Sequence, residues 1–395
     1  MTAYTATPSD ERPALRIGML GAGGIAKAHV NAFRTIPYMF WPGSVRPELS
    51  ALAGRAEART RGAAIRYGFP RYTTDWQTLV TDPEIDVFDN VGPDALHMEP
   101  TLAAIAAGKH VACEKPLALG VADCERLWRA ADRRGVAHLT CFNYRFLPAV
   151  RLARTLIEDG RLGEVFEARF RYSQQRGMDE LAPPWTVGTL NGIGCHVIDQ
   201  ARFLVGEIAT VSAVVRGPMS ERRAARGVDP GTPIDSIHMV LEFDEGAAGV
   251  LDASSVASGR RNQLAWEING SRGSLAWDLE NLNVLRVHRR PATDDQLDGF
   301  TDVIVCEDVH PLADTWWDTA HLLGWEHGHV NMLAHFCNAI AAGADVAPYG
   351  ATFLDGLRAA RVSEAALVSA SSGTRAAVEP VPVPAAADAA RVGDS

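Results

Sequence analysis

A glycine-rich turn near the N-terminus limits the possible folds of this 395-residue chain more than any other stretch. Residues 15–20 predict a strand, and residues 27–36 predict a helix, with Gly21-Ala22-Gly23-Gly24-Ile25-Ala26 between them. The pattern GxGxxA in this setting is typical of dinucleotide binding. The first glycine makes a tight turn, the second lets the backbone approach a pyrophosphate, and the small last residue packs against the strand. We therefore expect a dinucleotide at Gly21, Gly23, Gly24, Ile25 and Ala26, held by the helix N-terminus.

Strands and helices alternate from this turn to about residue 140, which predicts an α/β Rossmann domain with a doubly wound parallel sheet. The next part of the chain has seven β-like runs, several of them joined by short turns. They lie at residues 165–172, 211–216, 237–243, 249–254, 264–269, 274–277 and 284–288. Consecutive strands with short turns favour an α+β C-terminal domain with a large, mostly antiparallel sheet. Two helices are expected later, at 329–342 and 353–370.

The chain is expected to divide into four segments. They are a flexible arm (1–13), a dinucleotide-binding Rossmann domain (14–142), a substrate-binding and oligomerisation domain (143–377) and a Pro/Ala-rich tail (378–395). An open face on the second sheet would need a cover, so we expect a homodimer or a homotetramer.

Further cofactor contacts are expected at the carboxyl ends of the parallel strands, where ligands of such sheets bind. The second strand ends at Gly54-Arg55 without the acidic residue that usually binds the ribose of NAD. Arg55 could pair with the 2′-phosphate of NADP or lie on the adenine, so NAD and NADP both remain open. After the strand at 85–90, the predicted contacts are Asn90, Gly92, Pro93 and His97.

A lysine at the end of another parallel strand is the first candidate for chemistry. The run Val111-Ala112-Cys113-Glu114-Lys115-Pro116 predicts a strand stopped by proline, which has no N–H for the ladder. Lys115 would then meet a nucleotide and a substrate at the same sheet edge, with Glu114 holding the turn or orienting the lysine.

Composition excludes several classes of partner. The formal net charge of −10 argues against nucleic acid and against an anionic membrane surface. No long uncharged apolar run is present, and the first fifteen residues lack a signal-peptide pattern. The six cysteines form no CxxC pair, which favours reduced thiols and a cytoplasmic location. The histidine-rich stretch from His321 to His335 matches no metal-binding spacing, so we expect no metal.

Four motifs in this order resemble the Gfo/Idh/MocA family of NAD(P)-dependent oxidoreductases, which act mostly on sugars, cyclitols and their derivatives. They are the glycine turn, Glu114-Lys115-Pro116, Asn143-Tyr144-Arg145-Phe146 and Gly194-Cys195-His196-Val197-Ile198-Asp199. Within the family, Phe40-Trp41-Pro42 and the run 202–207 are most similar to the branch of levoglucosan and glycoside 3-dehydrogenases. The resemblance implies a hydride transfer between a nicotinamide and a secondary hydroxyl or keto group of a small sugar, glycoside or cyclitol.

The resemblance also implies roles for single residues. Lys115 matches the family's catalytic lysine and His196 its substrate-facing histidine, which is suited to take the hydroxyl proton. The family's third catalytic residue, an aspartate four positions before the histidine, is replaced by Gly192. Asn143, Arg145 and Trp185 are the other expected substrate contacts. An interdomain hinge at 143–145 and core packing of the tryptophan are the alternatives to these contacts.

Two other functions stay open at this stage, because fold alone does not decide between them. One is an enzyme that oxidises and re-reduces its substrate within a single turnover, driving an elimination or the cleavage of a glycoside. The other is a sensor that binds a dinucleotide and a sugar without turnover, which the missing aspartate supports.

Overall fold

The computed structural model describes residues 10–178, 188–227, 234–290, 296 and 298–382. Its first sheet is parallel and has six strands in the order β3-β2-β1-β4-β5-β6. The strands are β1 (Ala14–Leu20), β2 (Arg46–Ala53), β3 (Arg71–Thr73), β4 (Val87–Asn90), β5 (His110–Cys113) and β6 (His138–Thr140). This is the strand order of a dinucleotide-binding Rossmann sheet, so the predicted N-terminal fold is confirmed.

Helices lie on both faces of this sheet, which explains why its strands are apolar on both faces rather than alternating. The helices of this part are α1 (Ala26–Met39), α2 (Glu57–Tyr67), α3 (Trp76–Thr81), α4 (Met98–Ala106) and α5 (Val121–Arg134). Gly68 and Gly135, both left-handed, end α2 and α5, as is common at helix C-termini.

The second sheet has nine strands in the order β14-β13-β12-β11-β7-β10-β9-β8-β15. The strands are β7 (Val165–Ser173), β8 (Ile208–Arg216), β9 (Ser236–Phe243), β10 (Ala248–Ser254), β11 (Gln263–Gly270), β12 (Gly273–Asp278), β13 (Val284–Arg289), β14 (Thr301–Ile304) and β15 (Ala376–Ala377). Every neighbouring pair is antiparallel except β7 and β10, so the predicted α+β domain is also confirmed. The strands β14 and β15 were not predicted because both are short.

The remaining helices are α6 (Pro148–Glu158), α7 (Cys195–Leu204), α8 (Pro218–Ala225), α9 (His327–Ala342) and α10 (Phe353–Ser372). Of these, α6 and α7 cover the inner face of the second sheet, where Val150, Ile198 and Leu204 are buried against Phe170 and Leu251. The buried face of this sheet is therefore a core made by helices that precede β7 and β8 in the chain.

The last two helices pack on the first sheet, and α10 also packs against β8 of the second. Met332 and Phe336 of α9 pack in one cluster with Val30 and Phe33 of α1. Phe353 and Leu357 of α10 pack on the opposite side, with Leu127 of α5. The Rossmann sheet is thus completed on each face by a helix from the C-terminal part of the chain.

The start of α10 is fixed by polar contacts to β6. Thr352 and Asp355 form a capping box at the helix N-terminus. The Phe353 N–H donates to Nδ1 of His138, and Thr140 Oγ1 donates to the Thr352 carbonyl. Among the helices described, none is both long enough and apolar enough to cross a membrane.

Candidate active site

Lys115 follows β5 and points from the carboxyl edge of the first sheet toward the second domain. Its Nζ donates a 2.8 Å hydrogen bond to the backbone carbonyl of Gly192, 77 residues later in the chain. The side chain is half-buried, and in the described part of the chain this carbonyl is the hydrogen-bond partner of Nζ. The lysine therefore spans the gap between the two domains.

His196 lies on α7, just after a π-helical turn formed by Leu190–Gly194. Such turns are rare and are frequently found at functional sites. The imidazole is surrounded by aromatic rings, with centroid distances of 4.8 Å to Tyr144, 5.8 Å to Phe142 and 6.0 Å to Tyr172. The packing of these rings leaves the histidine 7 % exposed and fixes its orientation.

Both residues line one cavity of about 390 Å³ between the two domains. Its wall contains carboxylates, amides and aromatic rings. The full lining is Ile25, Asp94, Glu114, Lys115, Asn143, Tyr144, Tyr172, Gln174, Arg176, Gly192, Ile193, His196, Asn262, Trp325 and His329. A larger, more open groove of about 640 Å³ runs along β2 and contains none of the predicted site residues. Ion pairs there already neutralise Arg16 and Arg71, so we place the chemistry in the smaller cavity.

The electrostatics of the cavity keep His196 neutral. Burial lowers its pKa well below 6.5, and the positive charge of Lys115 lowers it further. A neutral imidazole is the form that accepts a proton.

Three buried polar atoms at the cavity have no hydrogen-bond partner among the described residues: Nδ2 of Asn143, Nδ1 of His196 and Nδ1 of His329. A buried polar group left unpaired costs about 1–3 kcal/mol. Three of them around one cavity indicate that a polar ligand completes this site.

Behind the cavity, Glu114 joins Lys115 to the first sheet. Its Oε2 accepts the Lys115 backbone N–H at 3.1 Å, and its Oε1 lies 3.2 Å from Nε2 of His29. The other ring nitrogen of His29 lies 3.0 Å from both oxygens of Asp89, at the end of β4. Three polar side chains therefore form a continuous buried chain under the lysine.

The glycine turn has the shape that a dinucleotide requires. Gly21 has φ 112°, and a Cβ there would lie 2.6 Å from the Val91 carbonyl oxygen, so only glycine fits. A Cβ on Gly23 or Gly24 would meet nothing within 4 Å, which leaves the open side of the turn to a ligand. The N-terminus of α1 has no side-chain cap, so its N–H groups are available to a pyrophosphate.

Comparison with known proteins agrees with this geometry. Residues 15–141 match the model of the oxidoreductase family with the NAD-binding Rossmann fold. Residues 154–379 match the C-terminal alpha/beta domain of the same family, which is more than half of the chain. The chain belongs to the Gfo/Idh/MocA family.

Several relatives of the Gfo/Idh/MocA chain have named activities. Levoglucosan dehydrogenase of Pseudarthrobacter phenanthrenivorans is 34 % identical over 383 residues, which covers 90 % of this chain and 96 % of the relative. Myo-inositol 2-dehydrogenase of Thermotoga maritima is 27 % identical over 269 residues, covering 67 % and 75 %. A solved levoglucosan dehydrogenase in complex with NADH and levoglucosan superimposes with a TM-score of 0.88 at 32 % identity, covering 93 % of this chain and all of that one.

Two residues of this Gfo/Idh/MocA protein that are predicted to contact the cofactor have side chains paired inside the structure. The Asn90 amide donates to the Leu96 carbonyl and to Thr101 Oγ1, and its oxygen accepts the Gly92 N–H. His97 is 1 % exposed, with its ring nitrogens 2.7 Å and 3.2 Å from the carbonyl oxygens of Pro116 and Gly92. Both side chains hold the loop after β4 in place, through bonds within the loop and to Thr101 of α4 and Pro116 after β5.

The other predicted cofactor residues lie on the expected edge. Gly92 is half-buried and Pro93 exposed in the loop after β4. Gly54 and Arg55 follow β2, and the arginine is exposed. Ile25 lies between the glycine turn and the cavity, whereas Ala26 is fully buried beneath the turn.

Arg145, predicted from the resemblance to contact the substrate, is buried away from the cavity lining. It is 2 % exposed and does not line the cavity. Its guanidinium forms bonds of 2.9 Å and 2.5 Å with the two oxygens of Asp199, and a 3.3 Å bond to Asp355. This arginine therefore joins α7 and α10, and the contacts that the structure shows give it a structural role. Asn143 does line the cavity, and Trp185 lies outside the described residues.

Sequence reasoning missed several residues that the fold brings to the cavity. They are Asp94, Tyr144, Tyr172, Gln174, Arg176, Asn262, Trp325 and His329. Tyr144, Tyr172 and Trp325 are linked by hydroxyl and indole hydrogen bonds of 2.9 Å and 3.3 Å. Asp94 could have been predicted, because it follows β4 at the sheet edge where ligands bind. Tyr144 lies inside the Asn143–Phe146 motif, and His329 lies in the histidine-rich stretch, but neither received a role from the sequence. The others come from separate strands, turns and loops and carry no local motif.

Proposed function

We propose that this protein is an NAD(P)-dependent dehydrogenase that oxidises a secondary hydroxyl of a pyranose, glycoside or cyclitol. The observation that carries the proposal is the meeting of Lys115 and His196 in one cavity beside the glycine turn. Both groups come from motifs far apart in the sequence, and both face the space that a substrate would fill. The nicotinamide, when bound, supplies the hydride acceptor.

The residues of the cavity have distinct roles in this proposal. His196 takes the proton of the substrate hydroxyl, because it is held neutral and has an unpaired ring nitrogen. The Lys115 ammonium donates to the substrate oxygen and stabilises the negative charge that develops there. It would exchange its present bond to the Gly192 carbonyl for that contact or share it.

The remaining lining fits a polyol better than an apolar or a large anionic ligand. Asn143, Gln174 and Asn262 supply amides, which pair with hydroxyl groups as donors and acceptors. Trp325 is 39 % exposed and offers an aromatic face to the C–H face of a ring. The named relatives, a levoglucosan dehydrogenase and a myo-inositol dehydrogenase, act on molecules of this class.

We also infer that the chain divides into its two domains near residues 142 and 143. We further infer that a second copy of this chain covers the outer face of the nine-stranded sheet. Val240 and Val250 are paired neighbours on that face and are 57 % and 40 % exposed. Arg169 on β7 pairs with Val250, and Glu267 on β11 pairs with Arg169, so the same face carries a positive and a negative side chain. In a two-fold symmetric dimer, the positive group of one copy can lie against the negative group of the other. Light scattering on the wild type and on Val240→Glu tests this, and a monomeric wild type would contradict it.

The function is tested by mixing purified protein with NAD or NADP and a panel of pyranoses, glycosides and cyclitols, and recording reduced nicotinamide at 340 nm. A signal that is lost in Lys115→Ala supports the proposal and identifies the cofactor. Nucleotide binding with no turnover on any substrate would contradict it and favour a sensor. Substrate consumption without reduced cofactor would favour transient oxidation instead.

A further inference from the structure

A buried histidine that the proposed mechanism does not use links the glycine-turn helix to the catalytic lysine. His29 is fully buried one turn into α1 and bridges Asp89 of β4 and Glu114, which follows β5. The helix α1, the strand β4 and the turn after β5 are far apart in the sequence, and the fold brings them together at this imidazole ring. Glu114 in turn accepts the backbone N–H of Lys115.

The charges of this cluster require a cation at His29. Asp89 is fully buried and Glu114 is 6 % exposed, so two carboxylates are held out of water near each other. Lys115 Nζ is bonded to the Gly192 carbonyl and not to either of them. Burial lowers the pKa of His29, but the charge of Asp89 and the hydrogen bonds to both carboxylates outweigh it and raise the pKa to about 10. The imidazolium therefore bonds both acids at once.

The groups that face His29 from the other elements do not compete for this role. His329 of α9 lies 6.0 Å away between ring centroids, and burial together with the His29 charge lowers its pKa to about 3. Cys141 lies within 4.8 Å of His29 and Glu114, and burial raises its thiol pKa, so it stays neutral. Burial alone would raise the pKa of Glu114, but its hydrogen bond to His29 and the positive charges of His29 and Lys115 lower it to about 2.

We propose that His29 is a positioning residue that binds Asp89 and Glu114 together and, through Glu114, fixes the backbone from which Lys115 reaches the cavity. The path is short: ring nitrogen to Glu114 Oε1, and Glu114 Oε2 to the Lys115 N–H. Because α1 begins at the glycine turn, the same ring ties the nucleotide-binding segment to the lysine. This inference rests on the proposed dehydrogenase for its kinetic part, and on structure alone for the placement of Lys115.

Three variants separate positioning from simple loss of stability. His29→Asn removes the cation and breaks the bridge. His29→Asn with Asp89→Asn removes one of the two carboxylate charges left unpaired, so part of the lost stability should return while Glu114 stays unbound. His138→Asn is the control, because His138 is a half-buried histidine at the first sheet that also uses a ring nitrogen, here as the acceptor of the Phe353 N–H, and lies outside the cluster.

The first readout needs no turnover. The chain has three lysines, Lys27, Lys109 and Lys115, so reductive methylation with ¹³C-formaldehyde gives few NMR signals. The signal lost in Lys115→Arg identifies Lys115. We expect this signal to move in both His29 variants and to stay in His138→Asn, with the Lys109 signal unchanged throughout. A Lys115 signal unmoved by either His29 variant overturns the inference.

The second readout is kinetic. Misplacing a catalytic group by about 1 Å can cost roughly 10²-fold in rate. We expect kcat to fall by about this factor in both His29 variants, with KM and the Kd for NADH within about threefold of wild type. Recovery of kcat in the double variant along with its Tm would show a merely structural role and overturn the inference. A wild type that binds NADH but turns over no substrate refutes the proposed function only, and the lysine signal still decides the placement of Lys115.

Discussion

The Lys115 ammonium and the Gly192 carbonyl oxygen are joined by a 2.8 Å hydrogen bond across the two domains. Gly192 stands where the family resemblance implies an aspartate, four residues before His196. The lysine is thus held by a main-chain dipole at the place where relatives would offer a carboxylate. Such a partner positions the ammonium without neutralising it, so its charge continues to act on His196.

Replacing Lys115 by alanine should reduce kcat by about 10²–10³-fold, the usual loss when one donor to a developing oxyanion is removed. The Kd for NADH, measured by its fluorescence, should change little, because the glycine turn remains intact. Lys115→Arg keeps the positive charge but replaces a compact ammonium by a planar guanidinium, so it should recover only part of the rate. Near-normal turnover in Lys115→Ala would remove the lysine from the mechanism.

The pH dependence of the rate should reveal His196. A general base acts only when deprotonated, and the pKa of this group lies well below 6.5 because of burial and the Lys115 charge. We therefore expect kcat/KM to stay level as the pH falls through 6.5 and to decline only at lower pH. Circular dichroism at each pH separates this limb from acid unfolding. A decline centred at 6.5 would contradict the assignment.

Introducing a carboxylate with Gly192→Asp should shift the low-pH decline of kcat/KM to a higher pH. Gly192 is not among the residues with positive φ, so aspartate brings no left-handed strain. A negative charge one turn before His196 favours the imidazolium and raises its pKa, which shifts the loss of activity toward higher pH. Gly192→Asn, with the same shape and no charge, is the control. An identical shift in both variants would rule out the charge as the cause.

Arg145→Met should affect stability rather than substrate binding. Removing Arg145 leaves buried Asp199 with only the 4.0 Å contact to Arg202, and breaking such a pair costs up to about 3–5 kcal/mol of unfolding free energy. Urea denaturation measures the loss, and Arg145→Met with Asp199→Leu should recover much of it. The KM of the folded variant should stay close to that of wild type. A raised KM with unchanged stability would return Arg145 to the substrate site.

Arg55 should decide part of the cofactor preference. It is exposed after β2, at the edge where the adenosine ribose lies in this fold. Arg55→Ala should weaken NADP more than NAD if the guanidinium pairs with the 2′-phosphate. Comparing the Kd values of NADPH and NADH in both proteins measures the difference. An equal loss for both nucleotides would indicate stacking on the adenine.

The sequence predicted the sheets well because their signals are local. The glycine turn and the alternation of strands and helices specify the first sheet, and strands such as β9 and β10 were placed within one residue at their starts. The parallel pairing of β7 with β10 could not be foreseen, since it joins segments about 80 residues apart. No periodicity in either strand indicates its neighbour.

The site was predicted only in part for a related reason. Asn90 and His97 were placed at the correct sheet edge, but position on an edge does not fix where a side chain points. His29 was missed because it reads as an ordinary position in an amphipathic helix. Its partners Asp89 and Glu114 lie 60 and 85 residues away, and only folding shows that the three belong together.

The return of α9 and α10 to the first sheet limits how this chain can be divided. Without these helices, Val30, Phe33 and Leu127 would be exposed to water, so residues 14–142 alone should not form a stable module. An engineer who exchanges nucleotide-binding halves between relatives must therefore transfer residues 327–372 as well. The stability of the nucleotide-binding half therefore depends on two separated stretches of the gene.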